Sequence, residues 1–106
     1  MIFDPSRKEP SMAAYVIGNF ELLDPEAIKE YSRQVLATIE KYGGRYLVRV
    51  GSVEILEGDF VPKRFVVVEF PSVERAKEWY SSPEYRPLIE LRQRASRGDV
   101  FMVAGV

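Results

Sequence analysis

Twice along this chain an apolar, β-branched run gives way at once to a helix-start signal, and that punctuation limits the fold more than any other feature. Ala13 to Leu22 reads as a strand, and Asp24-Pro25-Glu26 follows it. That triplet supplies an N-cap, a proline at the first helical position and an acid near the positive helix end. Arg64 to Phe70 is the clearest strand, and Pro71-Ser72 ends it with Ser72 placed to cap a second helix. A strand that runs directly into a helix needs a further strand to complete a crossover unit.

The segments between these marks fill in the order. Ile28, Tyr31, Val35, Ile39 and Tyr42 recur at steps of three and four and form an apolar helical stripe. Gly43-Gly44 closes that helix as a C-cap. Because it ends a helix rather than preceding one, this pair is a helix stop and not a phosphate loop. Arg45 to Val50 reads as a strand, with a continuation expected past Gly51-Ser52 through Leu56. Glu57-Gly58-Asp59 supplies a turn, and Pro62 keeps its stretch out of a central ladder. The second helix has the stripe Val73, Ala76, Trp79 and Tyr80. Ser82-Pro83-Glu84 caps a further helical segment that Pro87 must interrupt or restart. Leu88, Leu91 and Ala95 give that segment an apolar side, Gly98 ends it, and Asp99 to Ala104 is the last strand.

The order β-α-β-β-α-(α)-β predicts two interleaved right-handed crossovers. These give a four-stranded antiparallel sheet in the order four-one-three-two with the helices on one face, the ferredoxin-like α+β arrangement. The domain spans 13–106, and the polar, proline-bearing residues 1–12 read as a flexible N-terminal extension.

Alternation splits the strands into two faces. One set is Ala14, Val16, Gly18 and Phe20; Tyr46, Val48 and Val50; Val66, Val68 and Phe70; Val100, Met102 and Ala104. It carries no charge and is expected under the helices. The other set is Tyr15, Ile17 and Asn19; Arg45, Leu47 and Arg49; Phe65, Val67 and Glu69; Phe101 and Val103. A sheet face turned to water normally shows polar residues, and this one is too apolar for that. A second copy packed face to face, about 10 Å away, would cover it and make a homodimer. A chain of 106 residues buries only about two-thirds of its unfolded surface, so such cover helps.

Charge and composition remove several function classes. There are 15 basic and 16 acidic residues, a net charge of -1, which argues against nucleic acid or an anionic membrane as partner. Val16-Ile17-Gly18-Asn19-Phe20 and Arg64-Phe65-Val66-Val67-Val68 also lack the stacking aromatics of the RNA-recognition strands they faintly resemble. There is no cysteine and no histidine. That excludes a disulfide framework, a thiolate nucleophile, a Ser-His-Asp triad and the usual zinc or haem ligands. No metal or cofactor is expected. No apolar run is long enough to span a membrane and the start does not read as a signal peptide, so the expected location is the cytoplasm.

The assembled pieces resemble a known family. They are Ala14-Tyr15-Val16-Ile17, Asp24-Pro25-Glu26 with Glu30-Tyr31, and Lys41-Tyr42-Gly43-Gly44-Arg45-Tyr46-Leu47-Val48-Arg49. Further on come Leu56-Glu57-Gly58-Asp59, Val68-Glu69-Phe70-Pro71-Ser72, Trp79-Tyr80-Ser81-Ser82-Pro83-Glu84-Tyr85 and Leu91-Arg92. Together they are similar to the bacterial domain-of-unknown-function family numbered thirteen-thirty, over nearly all of 13–105. The resemblance implies membership of the dimeric α/β-barrel superfamily, in which a ferredoxin-like protomer packs its sheet on its twin's. It implies no particular activity, because that superfamily includes cofactor-free monooxygenases, isomerases, dehydratases and haem enzymes. The missing histidine speaks against haem ligation here.

Candidate site residues follow from the faces and helices. With the first and third strands taken as parallel neighbours, Asn19 and Glu69 are expected near one end, with Arg45 or Arg49 nearest Glu69. A buried Glu69 must be paired or protonated. The plainer reading is an ion pair that fixes dimer register, and the sharper one is a catalytic base or ligand anchor. Trp79, Tyr80 and Tyr85 cluster around Ser82-Pro83, with Trp79 read first as core. Tyr31 is likewise read as core. Tyr85 and Arg92 are the better ligand candidates, with Arg92 able to grip a carboxylate or, alternatively, to pair with Glu84 or Glu90. The expected function is a homodimer acting as a cofactor-free enzyme on a small organic acid. In that reading Glu69 is the base, and Asn19, Arg49, Trp79, Tyr85 and Arg92 hold the ligand. The alternatives are a non-catalytic small-molecule-binding or regulatory dimer, and a purely structural pairing module. A cavity of about 300 Å³ or more holding Glu69 and an arginine would favour a ligand over the structural module.

Overall fold

The computed structural model describes residues 12–106. The expected extension over residues 1–12 therefore lies outside the described residues, except for Met12. The elements are β1 (Ala14–Leu22), α1 (Pro25–Lys41), β2 (Arg45–Arg49), β3 (Arg64–Phe70), α2 (Val73–Tyr80), α3 (Arg86–Ala95) and β4 (Ser96–Ala104). The strands form one antiparallel sheet in the order β2-β3-β1-β4. This is the ferredoxin-like α+β arrangement expected from the sequence.

The helix boundaries follow the cap chemistry. The Asp24 carboxylate accepts from the Ala27 amide at 3.2 Å, with Pro25 opening α1. At the other end the Gly43 amide donates to the Glu40 carbonyl at 3.0 Å and Gly44 to Ile39 at 2.9 Å. That pair of bonds is the Schellman pattern, and Gly43 takes the left-handed φ of 84° that it requires. The Ser72 hydroxyl accepts from the Arg75 amide at 3.1 Å and starts α2. Pro87 restarts the chain rather than kinking it, because it lies in the first turn of α3, where no helical N–H is needed.

The core lies where α1, α2 and α3 cross the central strands. Ala14, Val16, Val68 and Phe70 are buried from the sheet, and Val35, Ile39, Ala76, Trp79, Tyr85 and Leu88 from the helices. Trp79 stacks on Tyr85 with centroids 4.0 Å apart, and its indole N–H donates to Thr38 Oγ1 at 2.9 Å. Burial of an aromatic with its polar tip satisfied makes Trp79 a core residue, as first read.

Several expectations are corrected. β1 and β3 run antiparallel, not parallel: Tyr15 lies opposite Glu69 and Asn19 opposite Phe65. Asn19 and Glu69 are therefore at opposite ends of the sheet. β2 stops at Arg49 and does not continue to Leu56, because Val50 turns to a left-handed φ of 57°. Residues 51–63 form an irregular connection instead. Gly98 lies inside β4 rather than ending a helix, and a side chain there would strike the Asn19 carbonyl oxygen at 2.0 Å. Met102 and Ala104 are exposed rather than packed under helices, because β4 is the sheet edge.

Candidate functional site

β2 and β3 lose step between Tyr46 and Val48: Tyr46 faces Val68, but Val48 faces Val67 and Arg49 faces Val66. A bulge of this kind puts an extra residue into one strand and changes the face of everything after it. Simple alternation places Arg49 on the open face with Arg45. The bulge moves it to the helix side instead, where it stacks over the Tyr46 ring at 4.5 Å and donates to the Ser32 carbonyl at 3.2 Å.

On this side of the sheet a partly open cavity of about 120 Å³ lies between β1, β3, α1 and α3. Its apolar wall comes from Val16, Val35, Val66 and Val68. Tyr31, Trp79 and Tyr85 close one side, and Arg49, Arg64 and Arg92 reach it from β2, β3 and α3. No Asp or Glu lines it.

Arg92 is the exceptional residue. It occupies the inward stripe of α3, between buried Leu88 and buried Ala95, and is only 5% exposed. Its Nε has no hydrogen-bond partner among the described residues, and it joins no ion pair with them. Neither Glu84 nor Glu90, offered above as partners, engages it. Glu84 is tied to Lys41 and, at 2.9 Å, to the Tyr42 hydroxyl. The neighbours of Arg92 are neutral: the Phe20 ring 5.2 Å below it and the Tyr85 and Tyr31 hydroxyls. Burial opposes its charge, and those hydroxyls more than offset the effect.

Tyr31 and Tyr85 share a hydrogen bond of 2.7 Å, O to O. Burial pushes both phenols above their ordinary range, and Arg92 only partly counters this. They are neutral donors near pH 7, not bases. Tyr31 belongs to the cavity as well as to the core. Arg64 was missed from sequence, although it shares the parity of Val66, Val68 and Phe70 on the helix-facing side.

The sequence-derived set thus divides. Arg49, Trp79, Tyr85 and Arg92 meet at the cavity, whereas Asn19 and Glu69 do not. The Asn19 amide binds the Val61 carbonyl at 3.1 Å and accepts from the Lys63 amide at 2.7 Å, which ties the β2–β3 connection to β1. Glu69 is on the other sheet face, paired with Arg45 at 2.8 Å. Of the two arginines offered, Arg45 is the one that lies against Glu69. The cavity holds arginines, as the ligand readings require, but it is smaller than the size set above and lacks Glu69. Among the described residues no group of three or more acidic, His or Cys side chains could hold a metal.

The model of the family described as "Domain of unknown function (DUF1330)" matches residues 13–106. The chain is a DUF1330 domain. No curated protein matches it. Among solved structures, the RPA0582 protein of unknown function from Rhodopseudomonas palustris is similar with TM-score 0.73 and 19% identity, over 93% of this chain and 86% of that one. SnoaB, a cofactor-independent oxygenase from Streptomyces nogalater, superposes with TM-score 0.62 at 9% identity, over 91% and 95%. A putative antibiotic biosynthesis monooxygenase from Nitrosomonas europaea gives 0.58 at 16% identity, over 94% and 96%. At these identities the likeness establishes that the DUF1330 chain shares their fold. Among the described residues no helix is long and apolar enough to cross a membrane.

Proposed function

We propose that this domain binds a small, flat organic acid in the cavity between sheet and helices, with the carboxylate on Arg92. One observation carries the reading: a buried guanidinium with an unpartnered Nε faces an apolar cavity that has no acidic residue in its wall. An unpaired buried charge costs several kcal/mol unless something compensates it. A ligand carboxylate supplies the missing partner, and the planar guanidinium suits it in bidentate geometry. The cavity is somewhat smaller than one of about 150 Å³ that takes up benzene in another protein, and because it is partly open a flat ring can enter with its far end at the mouth.

The chemistry available to a bound acid comes from the hydroxyl pair. One hydroxyl of the Tyr31–Tyr85 pair donates to the other, and the remaining O–H can donate to an enol or enolate oxygen that forms beside Arg92, which stabilises developing negative charge. No lining group is basic enough to remove a proton, so a catalytic role uses a substrate that ionises readily by itself. The cofactor-independent oxygenase with the same fold gives this enzymatic reading its support. Binding without turnover is the second reading, favoured by that same lack of a base.

The working unit is a homodimer joined through the open sheet face. The support is an apolar surface without cover: Phe101 is 53% exposed, Val103 47% and Leu47 45%, with Tyr15, Ile17, Phe65 and Val67 only half-buried beside them.

The experiment is a thermal-shift and calorimetric screen of small carboxylic acids against their primary amides. At a hundredfold excess over Kd a ligand adds about 2.7 kcal/mol of stability. The acids should stabilise the protein, the amides should not, and Arg92→Gln should abolish the shift while the variant stays folded. Equal shifts from acids and amides would remove the carboxylate reading. Incubating the acids that bind with the protein in aerated buffer, followed by product analysis, separates enzyme from binder.

A further inference from the structure

The mouth of the cavity carries a charge pattern that one carboxylate does not explain. Arg33, Arg45, Arg75 and Arg97 each pair with a glutamate. The three arginines that line the cavity, Arg49, Arg64 and Arg92, join no ion pair with any described residue. Arg86 and Arg94 on α3 also join no ion pair among the described residues but do not line the cavity, so what distinguishes Arg49, Arg64 and Arg92 is that three unpaired arginines share one cavity without an acid in its wall. Arg92 lies inside, whereas Arg49 is exposed and Arg64 half-buried.

Two backbone irregularities bring Arg49 there. The bulge at Tyr46–Val48 turns its side chain from the open face to the cavity. The next residue, Val50, holds a φ of 57°, where a β-branched side chain is an outlier that costs about 1–3 kcal/mol. Arg49 is then fixed by neutral groups alone, the Tyr46 ring and the Ser32 carbonyl. Those contacts orient the guanidinium and leave its charge facing solvent, free to meet an anion. Arg64 completes the rim from β3, opposite Phe20, whose ring underlies Arg92.

We propose that the ligand carries two acidic groups, one on Arg92 inside the cavity and the second at its mouth on Arg49, with Arg64 alongside. The ligand class is a small dicarboxylate or equivalent dianion with a flat apolar middle. This deepens the reading of Arg92 as a carboxylate anchor and rests on it. Arg49 is the residue that sets the preference for two charges over one.

The test is calorimetry on the full chain with matched probes: benzoate, isophthalate and meta-aminomethylbenzoate. A charged contact at an exposed arginine is worth up to about fivefold in affinity. Isophthalate should therefore bind the wild type tighter than benzoate by up to about fivefold. Arg49→Gln should cut that advantage, weakening isophthalate by a larger factor than benzoate. Arg49→Glu should reverse the order and select meta-aminomethylbenzoate. Arg49→Lys, which keeps the charge, should retain part of the preference and stands in if the neutral variant fails to fold. If isophthalate binds no better than benzoate, or Arg49→Gln weakens both alike, the second anionic subsite is wrong while the Arg92 reading survives. If none of the three binds the wild type, both readings fall.

Discussion

The two faces of this sheet break the same rule in opposite directions. The face covered by helices should be dry and neutral, yet it holds a buried guanidinium without an ionic partner. The open face should be wet and polar, yet Phe101, Val103 and Leu47 stand out from it, and its one buttressed charge pair is Arg45–Glu69. Each departure leaves a group unmatched in the isolated chain, and each suits a different visitor. An apolar area is covered by another apolar area, so the open face calls for protein. A lone cation in a cavity is neutralised by an anion, so the covered face calls for a small acid.

The largest effect that would test this contrast is on the open face. In a twofold dimer every substitution acts twice. Burying a Phe side chain contributes about 1.5–3 kcal/mol, so Phe101→Asp should weaken association by about 3–6 kcal/mol, more than a hundredfold in Kd. Light scattering should find the wild type at twice 12.2 kDa and the variant near 12.2 kDa at micromolar concentration. Phe101 touches neither Arg92 nor the tyrosine pair, so the variant should still bind the acid wherever the cavity is complete within one protomer. A wild type that runs as a monomer would end the argument for a covered sheet.

On the other face the expected effect is smaller and of opposite sign. Arg92→Met replaces a buried, unpartnered charge with an apolar side chain of similar length. Replacing buried ionic groups with apolar residues of similar volume is neutral or stabilises proteins by about 1–4 kcal/mol. Here the lower end applies, near 1 kcal/mol, because Arg92 retains the Phe20 ring and the tyrosine hydroxyls. Urea denaturation of the ligand-free protein should show the gain, and the acid-induced thermal shift should vanish with it. Stability gained as binding is lost is the mark of a residue kept for function. A loss of stability in Arg92→Met would instead make Arg92 a structural element.

How much of this could be read from the chain differs from residue to residue. The order of elements was legible because caps are local chemistry: Asp24-Pro25, Gly43-Gly44 and Ser72 act through bonds to the next few amides. The antiparallel pairing of β1 and β3 was legible too, since two crossovers that each straddle one strand force it. Taking the two strands as parallel misplaced Asn19 against Glu69. Arg92 was legible as a charge between Leu88 and Ala95; Arg64 carried a like signal, in step with Val66 and Val68, and was passed over. Arg49 was named for the ligand but placed on the open face. Tyr46, Leu47 and Val48 are all good strand formers, so nothing in their side chains marks a bulge, and only the pairing with β3 shows where the phase changes.

A finer measurement separates the covered face from the open one through protons rather than packing. Burial raises the Tyr31 and Tyr85 phenols, while unfolded tyrosine releases its proton near pH 10. Their contribution to stability is thus complete below pH 10 and lost as the pH rises from there through the raised values. An absorbance titration should show tyrosinate from this pair appearing late and together with unfolding. At neutral pH, Tyr31→Phe or Tyr85→Phe leaves one buried hydroxyl without its partner, a cost of about 1–2 kcal/mol. The double variant removes donor and acceptor together, so it should cost no more than either single change. Simple additivity of the two would mean that the hydroxyls do not bond to each other, and the proton-donating pair beside Arg92 would be lost with them.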